Sequence, residues 1–181
     1  MSIKINFCVA CIDKRFDKLL TSYLNTISGN DYYLGTVAGA ALPLGYICSC
    51  KKLCSSNGCN PCNYDMRLLK DNLIKNIDIS KSLDNIKDIY LINHQDCGAM
   101  KGYLGCSGYP DNLGDNNQKE IDINTTVLLY AQKYVKCKYP DTDTTLGLLD
   151  INGSIANYTN GSWVKVYTGE GTNPLGLWWN Y

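Results

Sequence analysis

The sequence predicts an α/β fold: a mainly parallel β-sheet flanked by helices, with an antiparallel edge strand. Three observations predict it. Short runs rich in β-branched residues alternate with stretches of helical spacing through most of the 181 residues. The run Ile89-Tyr90-Leu91-Ile92 is apolar and ends in a small-residue segment that opens a helix. Metal-ligating side chains fall where strands end, the place where α/β folds present reactive groups.

Ile3 to Ala10 is the first strand: Ile3, Ile5 and Phe7 alternate with Lys4 and Asn6, and Cys8-Val9-Ala10 is wholly apolar. A helix follows, with Phe16, Leu19, Leu20, Tyr23, Leu24 and Ile27 on one side, stopped by Gly29-Asn30. Tyr32 to Val37 is a second strand, and Ala38-Gly39-Ala40-Ala41 is a tight small-residue turn. Tyr64 to Ile77 is helical, with Met66, Leu69, Leu73 and Ile77 near helical spacing. Ile89 to Asn93 is the third strand, and Gly98 to Leu104 a short helix or turn. Gly105 to Asn117, rich in Gly, Pro, Asp and Asn, is loop. Glu120 to Lys136 is a helix with Ile123, Val127, Leu128, Ala131 and Val135 inward, ended by Pro140. Thr145 to Ile151 is a fourth strand, Asn152-Gly153 a turn, and Trp163 to Tyr167 the antiparallel edge strand. The aromatic tail Pro174 to Tyr181 is expected to pack on its own domain or on a partner.

A single domain over residues 1–181 fits this length. Lys+Arg and Asp+Glu balance at 17 each, so there is no basic footprint for nucleic acid or anionic lipid, and no such partner is expected. No apolar run reaches the roughly 18 residues of a spanning helix, and the N-terminus has no apolar signal core. A cytoplasmic protein is expected. Its ten cysteines then read as thiols or metal ligands before disulfides.

His94 is the only histidine, three residues before Cys97, at the end of the third strand. Cys11 closes the first strand. Neighbouring parallel strands bring their carboxyl ends side by side, so Cys11, His94 and Cys97 are expected to meet around one metal ion. Three protein ligands leave a fourth position open, the pattern of a catalytic rather than a structural zinc. Each residue alone has a plainer reading: Cys11 as a small buried residue, Asp13–Arg15 as a surface ion pair, His94 as a satisfied polar group.

Cys11-x-Asp13-x-Arg15, followed about eighty residues later by His94-x-x-Cys97-Gly98, resembles the β-class carbonic anhydrases. The resemblance runs from Ile3 to about Tyr167 and includes Thr145 to Gly153 as the late strand and turn. It implies a β-carbonic-anhydrase-like fold and a homodimer or higher homo-oligomer. It implies Zn2+ on Cys11, His94 and Cys97, and hydration of CO2 to bicarbonate and a proton. Asp13 would accept a hydrogen bond from the water at the metal and orient it, or take the fourth zinc position in a resting form. Arg15 would keep Asp13 ionised and off the metal.

The sequence also departs from that family. Thr36-Val37-Ala38-Gly39 stands where the family has Arg-Asn-Ala-Gly, and there is no second histidine to shuttle protons. A segment at about 44–63 reads as an insertion, with Cys48, Cys50, Cys54, Cys59 and Cys62. Cys54, Cys59 and Cys62 with Cys50 or Cys48 would make a second zinc site; disulfides or a free thiol loop are the alternatives. Three functional readings follow: a zinc carbonic anhydrase, a relative acting on COS or CS2, and a zinc-stabilised structural or interaction protein without the reaction. A redox role for the inserted thiols is a further one.

Overall fold

Strand β1 (Ile5–Ala10) lies inside the sheet because both of its faces are apolar. Phe7 and Val9 point into one core cluster, and Cys8 and Ala10 into the other. The computed structural model describes residues 5–28, 31–53, 63–107, 109–110 and 117–169, with only the backbone at 47, 50, 51, 106 and 117. The helices are α1 (Asp17–Ser28), α2 (Leu42–Leu53), α3 (Tyr64–Leu83), α4 (Gly98–Leu104) and α5 (Asn117–Lys138). The remaining strands are β2 (Tyr32–Thr36), β3 (Ile86–His94), β4 (Asp143–Leu149), β5 (Ser154–Thr159) and β6 (Ser162–Thr168).

The strands form one six-stranded sheet in the order β2-β1-β3-β4-β5-β6. Its first four strands pair parallel, and β5 and β6 add antiparallel. Helices α2, α3 and α5 cover one face, where Leu44, Leu73, Ile77, Leu128 and Val135 pack on Phe7, Val9, Ile89 and Leu91. Helix α1 covers part of the other, with Leu20, Tyr23 and Leu24 against Cys8, Ala10 and Ile92. This is the expected α/β sheet with helices on both faces.

The details differ from the expectation in three places. The antiparallel edge is a hairpin of two strands, not one: β5 has no strong alternation because Ser154, Ala156 and Asn157 interrupt its apolar residues. Helices α3 and α5 and strand β3 run longer than their apolar periodicity reaches. The segment before the cysteine cluster is helical: Pro43 sits in the first turn of α2, where its missing N–H costs nothing. Gly45 allows α2 to press on α5, since a Cβ there would lie 2.6 Å from the Val127 carbonyl oxygen. Cys48 and Cys50 therefore lie on α2, while residues 54–62 and the aromatic tail from 174 lie outside the described residues. No described helix is long and apolar enough to cross a membrane.

Candidate functional site

The parallel pairing of β1 with β3 decides where the site forms. Val9 is in register with Leu91, so the residues that follow these strands emerge side by side at the same end of the sheet. Cys11 follows β1, His94 is the last residue of β3, and Cys97 caps the N-terminus of α4. The Cys11 and Cys97 sulfurs and a ring nitrogen of His94 all lie within 4.8 Å of one another. Among the described residues this is the group of three or more His, Cys, Asp or Glu side chains arranged to hold a metal ion.

The chemistry of the three donors suits a cation. His94 Nδ1 lies 2.6 Å from the Gln95 carbonyl, which can only accept, so Nδ1 carries the proton and Nε2 presents its lone pair. That Nε2 is buried and has no hydrogen-bond partner. A buried ring nitrogen without a partner is costly unless something electron-poor faces it. The Cys97 thiol donates to Cys11 and pulls the Cys11 thiol well below its ordinary pKa. The Gly39 N–H acts in the same direction, against burial. Cys97, as the donor and the more deeply buried partner, is pushed upward. Both thiols would lose their protons on binding a metal ion. The small-residue turn lies beside Cys11: Gly39 has a left-handed φ of 81°, and its N–H helps hold the Cys11 pKa down.

Asp13 and Arg15 form a close pair beside this group. Arg15 Nε lies 3.0 and 3.1 Å from the two Asp13 oxygens, and Nη2 lies 2.6 Å from Oδ2. The Arg15 backbone N–H also donates to Asp13 Oδ1 at 3.0 Å. Asp13 Oδ2 is 3.9 Å from His94 Nε2. Partial burial pushes the Asp13 pKa up, but the hydrogen bonds from the Arg15 side chain and backbone more than offset this, and its pKa falls below the usual carboxylate value. Phe16 closes one side, its ring centroid 4.6 Å from that of His94.

Sequence reasoning missed Asp96 and Glu120. Asp96 has a left-handed φ of 56° and accepts Arg15 Nη1 on its carboxylate at 2.6 Å and Arg15 Nη2 on its carbonyl at 3.0 Å. Its other carboxylate oxygen pairs with Lys101. The signal for Asp96 was its place between His94 and Cys97; nothing in the sequence pointed to Glu120.

A cleft of about 290 Å³ opens at the carboxyl ends of β1 and β2, lined by Ile12, Thr36, Val37, Leu69, Asn72 and Asn76 among others. Thr36 and Val37, which replace the polar pair expected from the resemblance, thus face this cleft. Of the proposed second site, Cys48 is exposed with a free thiol; Cys54, Cys59, Cys62 and the Cys50 side chain lie outside the described residues.

No family model matches the chain. A stretch of 79 residues, 44% of this chain, is 30% identical to an uncharacterized protein of Rickettsia bellii (strain RML369-C), and spans 45% of that protein's length. Among solved structures, one of the tetrameric beta-carbonic anhydrases from the filamentous ascomycete Sordaria macrospora superposes with a TM-score of 0.46 at 13% identity. That superposition covers 92% of this chain and 82% of the other. The limiting CO2-inducible protein LCIB superposes with a TM-score of 0.41 at 12% identity, covering 92% and 88%.

Proposed function

We propose that this protein is a zinc-dependent carbonic anhydrase that hydrates CO2 to bicarbonate and a proton. The observation that carries this is the convergence of Cys11, His94 and Cys97 within 4.8 Å, with an unpartnered, buried His94 Nε2 and Asp13 beside it. Zinc on these three residues would supply a Lewis acid that lets water ionise near neutral pH.

The residues of the chain then have distinct tasks. Cys11, His94 and Cys97 hold the ion, and the Gln95 carbonyl fixes the His94 tautomer that can bind it. Asp13 is too weak a base to take a proton at neutral pH, because its pKa lies below the usual carboxylate value. It acts as a hydrogen-bond acceptor that orients the attacking water. Arg15 holds both Asp13 oxygens and keeps the carboxylate ionised and away from the ion. Ile12 and Val37 give the neighbouring cleft an apolar side that suits a small, uncharged substrate. With a single histidine already committed to the metal, the released proton leaves through water and buffer.

The protein is proposed to act in the cytoplasm as a homodimer or larger homo-oligomer, as the family resemblance implies. The same site would serve COS or CS2. A zinc-stabilised structural protein is the rival reading, favoured by Thr36-Val37 in place of Arg-Asn. Stopped-flow CO2 hydration by the zinc-loaded protein separates them. Turnover that disappears in His94→Ala supports the enzyme; a fully zinc-loaded protein inert to CO2 from neutral to alkaline pH overturns it.

A further inference from the structure

Arg15 stands between two carboxylates, and the second is itself held from the far side. Asp96 adopts a left-handed backbone, a conformation that persists in a residue other than glycine only where its surroundings fix it. What fixes it comes from helix α5. Glu120 Oε1 accepts the Asp96 N–H at 2.5 Å and the Tyr109 hydroxyl at 2.6 Å. The same Tyr109 oxygen accepts the Cys97 N–H and the Asn124 amide, both at 3.4 Å. Glu120 is only 8% exposed and Asn124 fully buried, in a helix anchored in the core by Ile123 and Val127. Beyond the favourable place of a carboxylate in the first turn of its own helix, Glu120 accepts from a turn 24 residues away in sequence. Among the described residues, its side-chain hydrogen bonds lead to the Asp96–Cys97 turn and to the tyrosine that also touches that turn.

We propose that Glu120 is a positioning residue of this site: it pins the left-handed Asp96, whose carboxylate and carbonyl grip Arg15, and so holds Asp13 in place beside His94. Arg15 spends Nε on Asp13, Nη1 on Asp96 and Nη2 on both. If the Asp96 turn relaxes, the guanidinium loses its fixed plane, and Asp13 keeps only the Arg15 backbone N–H as a fixed partner. The consequence for turnover rests on the role given to Asp13 above; the linkage from Glu120 to Arg15 does not.

The experiment follows the Arg15 Nε–H, the proton donated to Asp13, by nitrogen-15 NMR with solvent-exchange measurements. It compares wild type with Glu120→Met, which keeps the volume, and Glu120→Gln, whose amide oxygen can still accept both bonds. Exchange is expected to quicken about tenfold or more in Glu120→Met and to stay near wild type in Glu120→Gln. In the zinc-loaded protein, kcat should fall about tenfold in Glu120→Met with KM little changed, and Glu120→Met should add nothing to Asp13→Asn. An Arg15 signal in Glu120→Met as protected as in wild type overturns the proposal. If Glu120→Met does not fold, Glu120→Asp takes its place, a carboxylate one methylene short of the Asp96 N–H: faster Arg15 exchange supports the linkage, and unchanged exchange overturns it. Inactivity of every form with the Arg15 response intact removes the hydratase reading and leaves the positioning role standing. A fully active Glu120→Met with unaltered Arg15 exchange removes the positioning role alone.

Discussion

The carboxyl end of β1 and β3 and helix α2 both carry cysteines, yet their described thiols differ in what surrounds them. At the sheet end, Cys11 and His94 are placed by paired strands, and Cys97 by the turn that opens α4. Their positions follow from register in a buried sheet, where a slip of one residue would turn every side chain to the opposite face. On α2, Cys48 faces solvent, and nothing described in the structure directs it toward a partner. Spacing along the chain proposes a ligand set; only a rigid scaffold converts it into a site.

The largest way to break this contrast is to remove a ligand at the rigid end. His94→Ala or Cys97→Ala should lower zinc affinity by more than about a hundredfold and abolish CO2 hydration, as read by metal analysis after dialysis and by stopped flow. Tight zinc retention in both variants would mean that the ion sits elsewhere. Asp13→Asn comes next: zinc content stays and the rate falls about a hundredfold. A wild-type rate there would remove Asp13 from the mechanism.

A smaller effect is expected on stability against acid. The folded pKa values of Asp13 and Asp96 are depressed below their unfolded values. Such groups contribute stability that is fully present above the unfolded carboxylate pKa of about 4 and is lost as pH falls through the folded values. Burial opposes this at both carboxylates, and the hydrogen bonds from Arg15 outweigh it. The urea midpoint of the metal-free protein should therefore drop below about pH 4, and the drop should flatten in Arg15→Leu. An equally steep drop in Arg15→Leu would assign the acid sensitivity to other groups. The smallest effect belongs to the other region. Replacing Cys54, Cys59 and Cys62 together by serine should leave the sheet-end zinc and CO2 hydration unchanged. A zinc content that falls from two per chain to one would show that the cysteine-rich stretch holds an ion of its own.

What the sequence made legible was whatever depends on strand ends and local periodicity. The alternation of Ile5 to Ala10 and the apolar Ile89 to Ile92 located β1 and β3, and with them the residues that meet at their ends. What stayed hidden depends on distance and backbone shape. Asp96 looks like an ordinary polar loop residue until its left-handed φ turns its carbonyl and carboxylate toward Arg15, 81 residues away. Glu120 looks like a solvated residue in the first turn of a helix, and its burial comes from Tyr109 and Asp96 closing over it. Helix α2 was obscured by Pro43, Gly45 and its cysteines; its glycine is set by the close pass of Val127, a contact that no local pattern encodes.

The burial of the three ligands is unequal, and this has a kinetic consequence. His94 is 1% exposed and Cys97 2%, with Phe16 packed on the imidazole, while Cys11 is half-buried. An ion bound there, as proposed, would be most accessible from the Cys11 side. Zinc loss from the loaded protein is then expected to be slow, with a rate that stays nearly flat as chelator concentration rises.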